Sequence, residues 1–333
     1  EWPLRLAILY LGGVCLLSLF ARLVAERLWW TTLLVYIPQV AYLAPAGLVL
    51  LPVLWSRDAR ALAVFCATLL FIAGPLMGYN VPMPLLSRGD APRVRVLAYN
   101  IRGALSGIDL IQAEVDRYRP DVAVFAEARG WRDDAELRAD LEATFPEWSY
   151  ADGGDMFIAS RWPIEDTESL PLGTYRTGDP SMDRVKLRAR VRAPFGDFQV
   201  VGVHFRTAVY GRTLLKEWRS VPGYMRHTGR IRREQADDLV DWLKTLEGPV
   251  ILAGDFNTPP AGSIYRALTR NHGDAFAARG FGWGYTYPSR RPLLRIDYVF
   301  HSRDWNAVQC EVGSGAGSDH RPVFAELALR SRR

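Results

Sequence analysis

Hydrophobic and polar positions follow two different patterns along this chain, and the change falls near residue 90. Up to residue 86 apolar side chains run almost unbroken. LAILYLGGVCLLSLF covers residues 6–20 between Arg5 and Arg22, Leu33 to Trp55 carries no charge, and a third uncharged run follows Arg60. A helix crosses a bilayer with roughly 20 apolar residues, a length the second and third runs reach. The first is shorter, but two longer runs follow it closely, so it reads as a membrane helix and not as the core of a signal peptide. Helices of soluble domains show a polar face, and these show none. Pro38, Pro45, Pro52 and Pro75 lie inside the runs, where neighbouring helices satisfy the freed carbonyls. Trp29 and Trp30 stand where interfacial aromatics belong. Residues 1–88 are therefore expected to be an anchor of about three transmembrane helices in the cell (inner) membrane. Arg57 and Arg60 in the SRDAR loop favour a cytoplasmic loop and an extracytoplasmic C-terminal region, while Arg22 and Arg27 argue the reverse.

From residue 93 the apolar stretches are short and end in polar residues. VRVLAYN ends at Asn100, DVAVFAE at Glu127, FQVVGVH at His204, and PVILAGDFN at Asp255 and Asn257. RIDYVF opens with Asp297, and Asp319-His320 precedes PVFAELAL. Between them IDLIQAEVDRYRP spaces Ile108, Ile111, Val115 and Tyr118 at helical intervals and stops before Pro120, and IRREQADDLVDWLKTL has a second helical pattern. Strands alternating with helices at these lengths predict a layered α/β domain over residues 93–330. A single Asn or Asp at a strand end is usually a turn former. Six such positions combining acid, amide and imidazole are better explained by rigid strands bringing functional groups to one cleft.

Composition adds less. The 49% hydrophobic content averages two unlike regions, and 333 residues suffice for two domains. Cys15 and Cys66 fall in the apolar runs and Cys310 stands alone beyond them, which leaves no internal disulfide or C-x-x-C site in the second region. The net charge of +5 suits an anionic partner. Arg206, Arg212, Lys216, Arg219, Arg226, Arg230, Arg232 and Arg233, with Tyr210, Trp218 and Tyr224 among them, make residues 206–233 a basic, aromatic segment. It reads as a solvated surface loop or as a phosphate-binding rim for nucleic acid or lipid headgroups.

The motifs NIRG (100–103), FAE (125–127), GVH (202–204), GDFN (254–257), IDYVF (296–300) and GSDHRPV (317–323) together resemble the endonuclease/exonuclease/phosphatase superfamily. The resemblance covers about residues 93–329 in the family's order, and GDFN and SDH are its most specific pieces. It implies a four-layer α/β sandwich of two mixed sheets, DNase I-like, and metal-dependent hydrolysis of a phosphoester. It also implies roles. Glu127 would be the principal Mg²⁺ ligand, with Asn100 beside the metal and Asp319 in its outer shell, Mn²⁺ being a possible substitute. Asp255 and Asn257 would contact the attacking water and a phosphate oxygen. His320, oriented by Asp297, would bind phosphate or take the water's proton, so the base is either Asp255 or His320. His204 would face the leaving group. Arg102 departs from the acidic residue common at this position in repair nucleases, and with Arg206 it is expected to bind substrate. MFIASRWPI (156–164) is expected to be core, and GYTYP (284–288) a turn shaping the cleft wall.

A nuclease-type phosphodiester substrate is the leading expectation. A lipid phosphodiester or phosphate, sphingomyelinase-like or phosphoinositide, is the alternative. A non-catalytic, membrane-tethered binding protein is the third reading, opposed by the presence of Glu127, Asp255, Asn257, Asp297 and His320 together. The expected partners are the phosphoester and the bilayer, with no obligate protein partner inferred.

Overall fold

The short runs beyond residue 90 form two six-stranded sheets. The computed structural model describes residues 1–24, 26–82, 91–129, 134–176, 183–208 and 219–330. One sheet contains β1 (Arg93–Asn100), β2 (Val122–Ala126), β3 (Ser149–Gly153), β4 (Met156–Ser160), β11 (Trp305–Val312) and β12 (Val323–Leu329), in the order β11-β12-β1-β2-β4-β3. The other contains β5 (Ile164–Pro171), β6 (Val185–Ala193), β7 (Gly196–His204), β8 (Val250–Asp255), β9 (Gly273–Asp274) and β10 (Asp297–His301), in the order β5-β6-β7-β8-β10-β9. In each sheet one central pair is parallel, β1 with β2 and β7 with β8, and the other pairs are antiparallel. These are the two mixed sheets that the motifs imply.

Strand alternation sends successive side chains to opposite faces, and both faces of the central strands are buried. Val94, Val96 and Ala98 of β1 and Val122 and Val124 of β2 meet Val200, Ile251, Ala253 and Val299 of the second sheet in the inner core. Leu97, Tyr99, Ala123 and Phe125 face outward, into a layer built with helices α5 (Ile108–Tyr118) and α6 (Asp134–Thr144). Val201, Val203, Leu252 and Phe300 pack outward beneath α7 (Val221–Leu243) and α8 (Ser263–Thr269). A short helix, α9 (Ala275–Arg279), follows β9. Four layers result, and the polar strand ends lie together at one edge. As the sequence suggests, α5 spans the helical spacing at 108–118, and MFIAS is a wholly buried strand. The helix before GDFN differs from expectation: it starts at Val221, inside the basic segment, so residues 221–233 are helical and not a loop.

The N-terminal region is α1 (Trp2–Val24), α2 (Trp29–Tyr36), a 3-10 turn at Gln39–Leu43, α3 (Ala46–Ser56), α4 (Ala59–Phe71) and a π-helical turn at Ile72–Leu76. Three stretches are long and apolar enough to cross a membrane: Trp2–Val24, Gln39–Ser56 and Ala59–Leu76. They expose Leu48, Leu51, Trp55 and Leu70 at 70–84%, an apolar surface that water does not favour. The expectation of one helix over 33–55 is corrected. Ile37 is extended before Pro38, as a residue preceding proline prefers, and the helix restarts only after Pro45. The freed piece, α2, stays against the end of α1, where Val35 packs on Ala21 and Trp30 stacks on Phe20, and also packs on α7 of the second region.

Candidate active site

Three adjacent strands put three functional residues on one row. His204 of β7 is paired with Asp255 of β8, and Asp255 with Asp297 of β10. Gly254 makes this approach possible: its φ is +138°, and a β-carbon there would lie 2.1 Å from the Val203 carbonyl oxygen, so only glycine fits. The Asn257 backbone N–H and side-chain amide both donate to Asp255, at 2.8 and 3.1 Å. Across the cleft, Asn100 ends β1 and Glu127 follows β2. The Asn100 amide donates to Glu127 at 3.1 Å and to Asp255 at 3.0 Å, tying the two sheets together. Glu127 and Asn257 both hold left-handed backbones, φ 51° and 47°, a conformation non-glycine residues keep when their surroundings fix it.

Two acid-backed imidazoles converge on Asp255. His320 directs Nδ1 at Asp297, 2.9 Å away, and Nε2 lies 3.8 Å from Asp255 Oδ2. His204 directs Nδ1 at Asp155, 2.7 Å away, and Nε2 lies 3.4 Å from the same oxygen. Burial by itself would lower the His320 pKa, but the charges of Asp297 and Asp255 outweigh it and raise it to about 10. Asp255 is pushed up by burial and by the charge of Asp297, against the pull of His320 and His204. Burial also opposes ionisation of Asp155, yet Arg184 and His204 bring its pKa down to about 2.

A cleft of about 220 Å³ opens on these groups, lined among others by Tyr36, Glu127, Asp255, Tyr287, Asp319 and His320. Glu127 is fit to hold a cation. Its side chain is 38% exposed, one oxygen takes the Asn100 amide, and no hydrogen bond reaches the other among the described residues. With Asp319 on the same cleft, this is an oxygen donor set for a hard divalent ion. Asp255, Asp297 and His320 also bring one donor atom each within 4.8 Å of one another, but Asp297 has both oxygens on the His320 ring, so this group is wired as an acid–imidazole pair. Asn100 offers a cation little: its Oδ1 accepts the Arg102 N–H and its nitrogen serves the carboxylates.

The remaining expected residues divide. Arg102 lies 3.7 Å from Asp319 at the cleft edge, half-exposed. Arg206 lines no part of the cleft, where Thr207 and Ala208 stand instead, because its guanidinium packs over the Tyr175 ring at 4.9 Å. Arg232 is wholly buried and belongs to no rim. Arg212, Lys216, Tyr210 and Trp218 lie outside the described residues. GYTYP does form the cleft wall: Thr286 accepts from the Ile296 and Asp297 N–H groups, and the Tyr287 ring sits 4.9 Å from His320. Two residues escaped the sequence reading. Asp155 closes the turn before β4 and was hidden by its GGD context, although it obeys the same strand-end rule as the others. Tyr36 sits in an apolar run with no local mark of a site.

Two face-to-face mixed sheets with acid-backed imidazoles at one edge fit a class of proteins whose members are phosphoester hydrolases. The chain belongs to the Endonuclease/Exonuclease/phosphatase family, whose model matches residues 97–320, and members of that family generally use a divalent metal. Solved structures share the fold. An endonuclease/exonuclease/phosphatase from Bacteroides vulgatus is 20% identical with a TM-score of 0.56, over 72% of this chain and 100% of that one. A mannosyl-6-phosphatase from Bacteroides thetaiotaomicron is 18% identical with a TM-score of 0.54, over 71% and 100%. D. rerio TDP2, complexed with a single-strand DNA product, is 16% identical with a TM-score of 0.54, over 71% and 99%. No functionally curated protein matches the chain.

Proposed function

We propose that this protein is a membrane-anchored, divalent-metal-dependent phosphodiesterase. The observation that carries the reading is the convergence of two acid-backed histidines on one buried carboxylate, beside an exposed Glu127. A phosphodiester needs a proton removed from water at one end and delivered to a leaving oxygen at the other. Asp255 and His204 supply the two ends, and His320 faces the phosphate between them. Asp255, with its pKa raised, serves as the base. His320, held positive by Asp297, donates to a phosphate oxygen as charge develops there. His204 hands a proton to the leaving group. Mg²⁺, or Mn²⁺ in its place, would be held by Glu127 with Asp319 nearby and would offset the developing negative charge.

The substrate reading is set by where the cleft lies. Tyr36, on the cleft, is three residues before Gln39, where the second apolar span begins. At about 3.5 Å per residue this bounds the separation at roughly 10 Å, close to the depth of a headgroup layer, about 5–8 Å on each side of the hydrocarbon. On the other flank the third span ends at Leu76, and Tyr79, three residues on, packs edge-on against Phe281 and Trp283 at 5.8 and 5.0 Å. These aromatics are 69% and 40% exposed, as in an interfacial belt, and the same stretch continues to Tyr287 and Leu294 on the cleft. A phosphodiester carried by a bilayer lipid fits this position best. The nuclease-type reading rests on the exposed Arg226 and Arg230 of α7 and the net charge of +5.

The test is turnover by the full chain in nanodiscs with Mg²⁺, on phospholipid vesicles, duplex and single-stranded DNA, and bis(p-nitrophenyl) phosphate. Hydrolysis of the chromogenic diester and of a lipid diester is expected, both abolished by EDTA. No turnover of any diester would end the phosphodiesterase reading, and preference for DNA over lipid would return the substrate to the nuclease class. Arg57 and Arg60 at the tight turn between the second and third spans favour a catalytic domain outside the cytoplasm. Protease added to sealed cells should then remove that domain, and full protection would reverse the orientation.

A further inference from the structure

The segment between the first two apolar spans does more than connect them. Tyr36 donates its hydroxyl to the Asn257 carbonyl at 2.5 Å, and its ring lines the cleft with Glu127, Asp255 and His320. Asn257 in turn holds both oxygens of Asp255 and keeps a left-handed backbone, φ 47°. That conformation relaxes unless it is restrained from outside; the Phe205 carbonyl holds the Asn257 side-chain amide at 3.1 Å, and the Asn257 carbonyl is held by a residue 221 positions away in sequence.

The segment is itself locked down. Glu26 is 2% exposed and also left-handed, φ 64°. Its carboxylate accepts from the Thr258 hydroxyl at 3.2 Å and from the Ser263 and Ile264 N–H groups at 2.9 and 3.2 Å. Arg232 lies 3.6 Å from Glu26, with its guanidinium over the Tyr36 ring at 5.3 Å. Arg266 also reaches the Arg22 carbonyl. A buried ion pair of this kind is weak evidence for stability but fixes a geometry well. Here it fixes α2 against the loop that follows GDF.

We propose that this segment is a working part of the active site: Tyr36 is a positioning residue that holds Asn257, and through it Asp255, while Glu26 and Arg232 clamp Tyr36 in place. The site is therefore complete only with the membrane region docked. The proposal rests on the phosphodiesterase reading for its kinetic arm and on no assigned activity for its structural arm.

The experiment uses the full chain in nanodiscs, bis(p-nitrophenyl) phosphate with Mg²⁺, and hydrogen exchange of the 255–262 backbone. Tyr36→Phe keeps the ring and removes one hydrogen bond. It should lower kcat on the order of 10-fold, as the loss of about one net hydrogen bond implies, with KM within about twofold and faster exchange at Asn257. Glu26→Gln should act in the same direction, and the exposed Arg27→Ala should change neither readout. A wild-type kcat in Tyr36→Phe overturns the proposal. So does a lowered kcat with unchanged exchange, because Tyr36 would then act on substrate and not through Asn257. If wild type turns over no diester, the phosphodiesterase reading fails separately, and the exchange arm alone decides the clamp: faster exchange at Asn257 in Tyr36→Phe upholds it, and unchanged exchange overturns it.

Discussion

The two histidines of the site look alike and are wired differently. Each directs Nδ1 at a buried aspartate and Nε2 at Asp255. Asp155 behind His204 also pairs with Arg184, so its carboxylate is shared between an imidazole and a guanidinium. Asp297 behind His320 spends both oxygens on that ring alone, and its charge also bears on Asp255. The charges of Asp297 and Asp255 together hold the proton on His320. On the proposed mechanism the two dyads serve different ends, His320 facing the phosphate and His204 the leaving group, and Arg184 stands behind the His204 dyad.

Removing each ring in turn is the sharpest way to test this division. His320→Ala should cost the most, on the order of 1000-fold in kcat with any phosphodiester, since it removes charge from the phosphate itself. His204→Ala should depend on the leaving group: on the order of 100-fold for an alkyl diester and only about 10-fold for a p-nitrophenyl diester, whose leaving oxygen needs little protonation. Asp155→Asn should follow the His204 pattern at about 10-fold, as loss of a group that orients a catalytic ring. Equal losses for both histidines on both diesters would erase the distinction. Steady-state kinetics on the purified full chain measure all three.

Much of this site is legible in the sequence because strands write their ends plainly. Asn100, Glu127, His204, Asp255 and Asp297 each stop or start a short apolar run, and the structure brings them to one edge. The layered α/β domain follows from the same runs, and its division into two mixed sheets from the family resemblance of the motifs. What stayed hidden depends on contacts between distant segments. Asp155 looks like a turn residue until His204, 49 positions on, is placed beside it. Tyr36 has the pattern of membrane helix, and only its bond to a residue 221 positions away makes it part of the cleft. Arg232 resembles its basic neighbours, but burial against Glu26 takes it off the surface. Charge counts along a segment cannot separate a rim from a clamp, because the sign of a side chain says nothing about which face of its helix is covered.

The smallest expected effect, and the most direct reading of the electrostatics, lies in how the two dyads respond to pH without metal. In EDTA the raised pKa of His320, about 10, compares with about 6.5 in an unfolded chain. A group raised on folding stabilises fully below its unfolded pKa and loses that contribution as pH rises through the folded value. The gap in Tm between wild type and His320→Gln should therefore be widest below about pH 6.5 and close toward pH 10. Asp155 runs the other way. Its pKa is depressed to about 2 from about 3.9, so its contribution is present above about pH 4 and disappears as pH falls toward 2. The gap for Asp155→Asn should then close on acidification. Thermal unfolding of the three proteins across pH reads both slopes. Two gaps that close at the same end of the scale would contradict the opposite shifts of His320 and Asp155.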